Sequence, residues 1–298
     1  GAEATEAALK YARLYARARR GPGHHKILAL DNGFHGRTMG ALSATPTRKY
    51  SEPFEPLVPG MESVPFNDTD ALEAALDESF AAVIVEVIQG EGGLRVMDPA
   101  FATRLNEVCE RYDVLLIGDE IQTGLGRTGK LFGSQLVGLR PDIMNFSKPL
   151  AGGLPLSATM IPAKVNEQLH PGDHGTTFGG GPVTTAVASH VVRTISDPAF
   201  LAQVQARAAQ LTALLDDLVN TKSEVAERRG AGMLQGLVIE AEDPPARVAE
   251  IMASCANEGV LLLRSSSDVV RLAPPLVIGE AALQRGVEVL ASALDTRR

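Results

Sequence analysis

Apolar residues along the chain recur with two different periods. Ala4, Ala7, Ala8, Tyr11, Leu14 and Tyr15 lie three and four apart and predict a helix over 3–20, closed by Gly21-Pro22-Gly23. Glu3 and Glu6 near its start and Arg17, Arg19 and Arg20 near its end suit the helix dipole. Apolar runs over 81–87, broken only by Glu86, and over 114–118 read as buried strands, and 26–31 and 142–146 read as shorter ones. Between the two long runs, Asp98-Pro99 opens a helix to about 112, so the segment is a strand–helix–strand unit with parallel pairing. Residues 69–80 read as a short helix, and 49–68, rich in Pro and Gly, as irregular surface chain.

The pattern changes after a helix over 183–196. A long amphipathic helix runs from Pro198 to Val219. It is followed by a strand (233–240), a helix (246–258), short strands (260–264 and 269–272) and a last helix (280–294). The fold class is therefore α/β. A large, mostly parallel sheet domain over 1–196 precedes a smaller α+β domain over 197–298.

Composition narrows the function. With 298 residues and 45% hydrophobic content the chain can bury two cores. A net charge of −8 without basic runs argues against a nucleic-acid partner, and no apolar stretch spans a bilayer. Cys109 and Cys255 lie in helical patterns and read as free buried thiols in a reducing compartment. His170 and His174 have metal-like spacing, but no Cys or third His joins them, so no metal site is expected.

Candidate chemistry concentrates at the ends of the strands. Asp119 ends the strand over 114–118, and Lys148 follows the strand over 142–146 and precedes the turn Ala151-Gly152-Gly153. Burial would lower the lysine pKa and free its amine to condense with an aldehyde cofactor. A carboxylate can keep a pyridinium nitrogen protonated, so that the ring draws electrons from a carbanion. Together they suit pyridoxal 5′-phosphate. Gly124-Leu125-Gly126-Arg127-Thr128-Gly129 matches a dinucleotide fingerprint in letters only, since it neither follows a strand directly nor opens a clear helix. Gly1-Ala2 offers backbone N–H groups at a helix start, a phosphate site. Arg271, inside an apolar strand, needs a partner.

The sequences GAEATEAALK, FHGRT, IQGEGG, DEIQTGLGRTG, the Ser147-Lys148 pair, HGTTFGG and VVRLAPPLVI, in this order, resemble the class III (ω-) aminotransferases. The resemblance spans nearly the whole chain. It implies the fold of type I pyridoxal-phosphate enzymes and assigns roles residue by residue. Lys148 and Asp119 would be catalytic. Gly1, Ala2 and Thr177 would hold the cofactor phosphate, Thr177 from the other subunit of a homodimer. Phe34 would stack on the ring, with Glu120, Ile121 and Gln122 beside it and Gln122 on its phenolic oxygen. Arg37 and Arg271 would bind substrate carboxylates, Glu91 would pair with an arginine, and Thr176 would lie near the substrate. His35 belongs to the motif without an assigned role. The usual Glu-Pro at the strand end is here Glu86-Val87.

FHGRT points to the branch that moves the terminal amino group of N-acetylornithine to 2-oxoglutarate, giving glutamate, in a cytoplasmic enzyme of arginine biosynthesis. Ornithine, succinylornithine, 4-aminobutyrate or a lysine-pathway donor would need few changes. The sequence opens at Gly1 without Met, and the resemblance implies about a further third of chain upstream, so a truncated, non-catalytic remnant is a separate reading. A racemase or decarboxylase on the same fold is disfavoured, because two carboxylate-binding arginines suit two alternating substrates.

Overall fold

The computed structural model describes residues 1–295; the last three residues of the second expected domain lie outside them. The described chain divides into two compact units. The first comprises Gly1–Val87, Met97–Leu125 and Phe132–Thr194, and the second comprises Ile88–Val96, Gly126–Leu131 and the chain from Ile195 onward. The second unit thus takes in two loops that a linear cut at 196/197 leaves with the first.

The first unit is built on a six-stranded sheet. Its strands are β1 (Lys26–Leu30), β2 (Met61–Val64), β3 (Phe80–Val85), β4 (Leu115–Asp119), β5 (Ile143–Phe146) and β6 (Ala158–Met160), in the order β2-β1-β3-β4-β5-β6. All neighbours are parallel except β5 and β6. β3 is buried at all six positions, as expected of a central parallel strand shielded on both faces. The helix Ala2–Arg20 lays Ala8, Ala12, Tyr15 and Ala16 against Ala29, Ile84, Ile117 and Ile143 of the sheet. Its small residues let the helix approach the sheet closely.

Three elements depart from the expected pattern. The segment 49–68 is not wholly irregular: it carries β2, a parallel edge strand of four residues with only Val64 buried. β6 is a three-residue edge strand without a buried residue, too short to stand out in the sequence. The helix Pro99–Tyr112 begins at Pro99 as expected, but Asp98 makes no side-chain capping bond.

The second unit has an antiparallel sheet of β7 (Val225–Ala231), β8 (Leu234–Ile239), β9 (Leu263–Ser265) and β10 (Val269–Leu272), ordered β7-β8-β10-β9. β7 was not expected, because Glu227, Arg228 and Arg229 give it no apolar alternation. The helices Pro198–Thr221, Pro244–Asn257 and Glu280–Asp295 share one core with this sheet, through Leu211, Leu215, Leu237, Ile251, Val270 and Leu290. The first two begin with Asp-Pro, and the Asp197 and Asp243 carboxylates accept the N–H groups of Ala199 and Ala246. No described helix is long and apolar enough to cross a membrane.

This arrangement makes stability uneven across the first sheet. Ile84→Ala, in the fully buried centre of β3, is expected to cost about 2–5 kcal/mol. Glu62→Ala, which removes the exposed ion pair to Lys26 on the β2 edge, is expected to cost less than about 1 kcal/mol. Urea unfolding followed by circular dichroism measures both, and equal losses would contradict this picture of the core.

Candidate active site

Parallel strands place all their carboxyl ends on one edge of a sheet, and the order β2-β1-β3 makes the connections after β1 and β3 diverge there. Such switch points are where open α/β sheets bind ligands. In this chain the strand ends at that edge carry Glu86 after β3, Asp119 at the end of β4 and Lys148 after β5. The loop after β1 carries Phe34, His35 and Arg37.

Asp119 is buried, and both its carboxylate oxygens are used. His35 Nδ1 lies 2.8 Å from Oδ2, and the Ile121 N–H donates to Oδ1 at 3.1 Å. An ionised carboxylate only accepts, so the shared proton sits on His35 Nδ1. Burial opposes a charged imidazole. The hydrogen bond to Asp119, its negative charge and that of Glu86 outweigh burial and hold the His35 pKa above its ordinary value. His35 Nε2 is buried and has no hydrogen-bond partner among the described residues. His35 was part of a motif without a role in the sequence; its partner lies 84 positions away, which no local pattern reveals.

The backbone around His35 is pinned on both sides. Its N–H donates to Thr45 Oγ1 at 3.0 Å, and its carbonyl accepts from Thr5 Oγ1 at 2.9 Å. Glu86 breaks the apolar run just past β3 for a reason: its Oε1 accepts the Phe34 N–H at 2.8 Å. Gly36, with φ at +140°, has no room for a side chain; a Cβ there would stand 2.7 Å from the Ala2 Cβ. The FHG stretch is therefore pressed against the start of the first helix.

Gly1 closes the same corner. A Cβ on it would meet the Ile121 side chain at 3.0 Å. The Gly1 carbonyl accepts the Ala4 and Thr5 N–H groups, so the N–H groups of Ala2 and Glu3 are the ones without an intrahelical acceptor at the head of this 19-residue helix. A buried carboxylate suited to a ring nitrogen, a lysine just past the adjacent strand and a helix start suited to a phosphate fit pyridoxal 5′-phosphate.

Two expectations change. Lys148 is exposed rather than buried. It follows β5, and Leu150 and Ala151 turn into the core while the lysine stands at the rim. Glu120 points inward instead: its carboxylate accepts from Thr123 Oγ1 at 2.7 Å, Gly133 N at 2.8 Å and Ser134 N at 2.7 Å. It clasps the loop that presents Asp119, Ile121 and the half-buried Gln122. Phe34 is half-buried and meets Tyr50 edge-on, while Arg37 is exposed.

Thr176 lies with His174 and Phe178 along Glu3, Ala7 and Tyr11 of the first helix, beside a cavity of about 630 Å³. His174 is engaged by Lys10 Nζ at 3.1 Å and by the Tyr11 ring. Thr177 is exposed in the same loop. The dinucleotide-like glycines serve the loop itself, and within the second unit Arg127 donates to the carbonyls of Met233 and Pro274.

The second unit holds Glu91 and Arg271 together. Arg271 is buried, and one of its terminal nitrogens donates to Glu91 Oε1 at 2.7 Å and to the Gly90 carbonyl at 2.6 Å. The Gly90–Gly93 turn is fixed by buried Ser265, which donates to the Gly90 carbonyl and accepts the Gly93 N–H. The arginine in an apolar strand thus has its partner, and that partner is half-buried and at hand for exchange with another carboxylate.

Comparison with known proteins gives this geometry a lineage. Residues 1–294 match the family described as aminotransferase class-III. The acetylornithine aminotransferase of Listeria monocytogenes is 40% identical over 297 residues, covering 100% of this chain and 74% of that protein. The crystal structure of ornithine aminotransferase from Toxoplasma gondii superposes with a TM-score of 0.92 at 36% identity, over 99% of this chain and 70% of that one. An amine transaminase from an uncultivated Pseudomonas species, in its pyridoxal-phosphate-bound form, gives 0.91 at 31% identity, over 99% and 75% of the two chains. A match over almost every residue, coinciding with the paired strand-end acid and lysine, establishes that this chain belongs to the class III aminotransferases.

Proposed function

We propose that this chain moves the terminal amino group of N-acetylornithine to 2-oxoglutarate, giving N-acetylglutamate semialdehyde and glutamate. The observation that carries the reading is the pair of arginines held in opposite ways: Arg37 has its N–H groups open, whereas Arg271 is closed by Glu91. Two carboxylate sites, one open and one gated, suit two substrates that alternate. The choice of donor is supported by relatives named acetylornithine aminotransferase at about 40% identity.

The class uses pyridoxal 5′-phosphate, which when bound supplies an aldehyde to take up the amino group and a ring that draws electrons from the donor carbon. Lys148 Nζ is placed to take the proton from that carbon as general base and, within the same half-reaction, to deliver it again as general acid; the second half runs the transfer in reverse. Asp119 holds the ring nitrogen's proton in place, and His35 orients Asp119. The head of the first helix, at Gly1 and Ala2, receives the phosphate. Phe34, Ile121 and Gln122 set the ring's plane. Arg37 takes the donor carboxylate, with Thr176 near the substrate. Glu91 yields Arg271 to 2-oxoglutarate, so one gate serves both half-reactions. Thr177 reaches the phosphate of a second copy in a homodimer, a reading supported by its exposed loop. The two free, buried cysteines are in keeping with a cytoplasmic enzyme.

Initial rates with 2-oxoglutarate as acceptor test the donor. The expected order places kcat/KM for N-acetylornithine above those for ornithine and 4-aminobutyrate. Equal values for all three would refute the donor assignment and leave the class intact. Lys148→Ala is expected to lose about 10²- to 10⁴-fold in transamination, the range for removing a positioned acid–base group.

His35 has its own signature. A hydrogen bond to a charged group is worth about 1.5–3 kcal/mol, so His35→Leu is expected to lower kcat roughly ten- to a hundredfold. His35→Asn, which can present an N–H to Asp119, is expected to recover much of that. The raised pKa also fixes a pH dependence of stability. Protonated His35 stabilises the fold fully below its unfolded pKa, and this contribution is lost as pH rises through the higher folded value. The gap in unfolding midpoint between the unsubstituted chain and His35→Leu should therefore shrink from pH 6 upward. A gap that widens with pH would contradict the pairing.

A further inference from the structure

Arg37 is exposed, yet it is held in place. Its guanidinium carbon lies 3.9 Å from the centre of the Tyr50 ring and 5.5 Å from that of Phe34. The Tyr50 ring meets Phe34 edge-on at 84°, with centroids 6.0 Å apart. Lys49 Nζ sits 4.8 Å from the same Tyr50 ring. Among the described residues, no carboxylate or carbonyl accepts an Arg37 N–H. The guanidinium is thus positioned by the faces of aromatic rings, and its five N–H donors stay open.

This is the chemistry a carboxylate site needs. An acidic partner would fix an arginine but compete with the incoming carboxylate, which is how Glu91 gates Arg271. An aromatic ring fixes the plane of the guanidinium through cation–π attraction without taking a donor. The backbone on both sides is anchored as well. Glu6 accepts from Thr38 Oγ1 at 2.6 Å and from Gly40 N at 2.8 Å, and the Tyr50 N–H donates to the Thr47 carbonyl at 2.9 Å. The sequence offered no signal for Tyr50, which lies in a stretch read as irregular surface.

We propose that Tyr50 determines donor specificity by positioning Arg37: its ring sets the guanidinium plane that receives the donor carboxylate. This rests on the assignment of Arg37 as the donor carboxylate site. Tyr50 touches Arg37 and Phe34 and is a positioning residue; the bidentate contact to the carboxylate belongs to Arg37. Lys49, on the same ring, adds positive charge that draws the carboxylate in.

The test compares N-acetylornithine with N-acetylputrescine, the same amine without the carboxylate, in Tyr50→Phe, Tyr50→Leu, Tyr50→Met, Arg37→Ala and the Arg37→Ala/Tyr50→Leu double variant. Calorimetric binding of N-acetylnorvaline, which has the carboxylate but no reacting amine, provides a readout independent of turnover. Tyr50→Leu and Tyr50→Met are expected to raise KM for N-acetylornithine about fivefold, with kcat within about twofold, and to weaken N-acetylnorvaline by the same factor. Their kcat/KM for N-acetylputrescine should stay unchanged, and Tyr50→Phe, which keeps the ring, should behave like the unsubstituted chain. In the Arg37→Ala background, Tyr50→Leu should cost nothing more.

A loss shared equally by the two donors, or one that persists without Arg37, would overturn the proposal. If Arg37→Ala itself fails to distinguish the donors, the carboxylate assignment falls and Tyr50's role with it. If Arg37→Ala distinguishes them and the Tyr50 variants do not, only the role of Tyr50 falls.

Discussion

The buried contact between His35 and Asp119 orders the rest of the first unit. A carboxylate this deep is costly unless its oxygens find hydrogen-bond donors. His35 and the Ile121 N–H provide those donors. Supplying His35 obliges the loop after β1 to turn inward, and Thr5, Thr45 and Glu86 hold its backbone there. That turn places Gly36 against Ala2, where only glycine fits, and so brings the head of the first helix to the same corner. The inward path of residues 33–36 also leaves Phe34 and Arg37 at the rim.

Acids and aromatic rings divide the work of holding cations. In the second unit Arg271 is buried, and an acid neutralises it; Glu91 and the Gly90 carbonyl share one of its nitrogens. In the first unit Arg37 is exposed, and a ring holds it without consuming a donor. The difference follows from burial. A buried guanidinium without an acceptor is costly, whereas a solvated one needs only orientation. Glu120 illustrates the opposite case for an acid: three donors from its own loop satisfy it, and it holds the loop.

Much of this was legible in the sequence. Long apolar runs announced β3 and β4, and spacing announced the first helix, Pro99–Tyr112 and the long helix after Asp197. The positions of Asp119 at the end of β4 and Lys148 just past β5 were legible, because sequence can locate strand ends. Short edge strands could not be found: β2 and β6 have too few buried positions, and β7 pairs through polar residues. His35 meets Asp119 across 84 positions, a contact no local pattern signals, whereas the pairing of Glu91 with an arginine, here Arg271 across 180 positions, was suggested by the family resemblance alone. Tyr50 was invisible because a tyrosine in a Pro-rich stretch carries no period. The exposure of Lys148 went unread because the apolar strand before it suggested burial, while the turn after it sends Leu150 and Ala151, not the lysine, into the core.

If the strand-end pair Asp119 and Lys148 forms a pyridoxal-phosphate site, Lys148 is its covalent anchor. Borohydride reduction after addition of pyridoxal 5′-phosphate, followed by peptide mass spectrometry, tests it most directly. A single phosphopyridoxyl group on Lys148, lost in Lys148→Ala, is the result this account predicts. Label spread over surface lysines such as Lys10, Lys49 and Lys130, unchanged by Lys148→Ala, would contradict it.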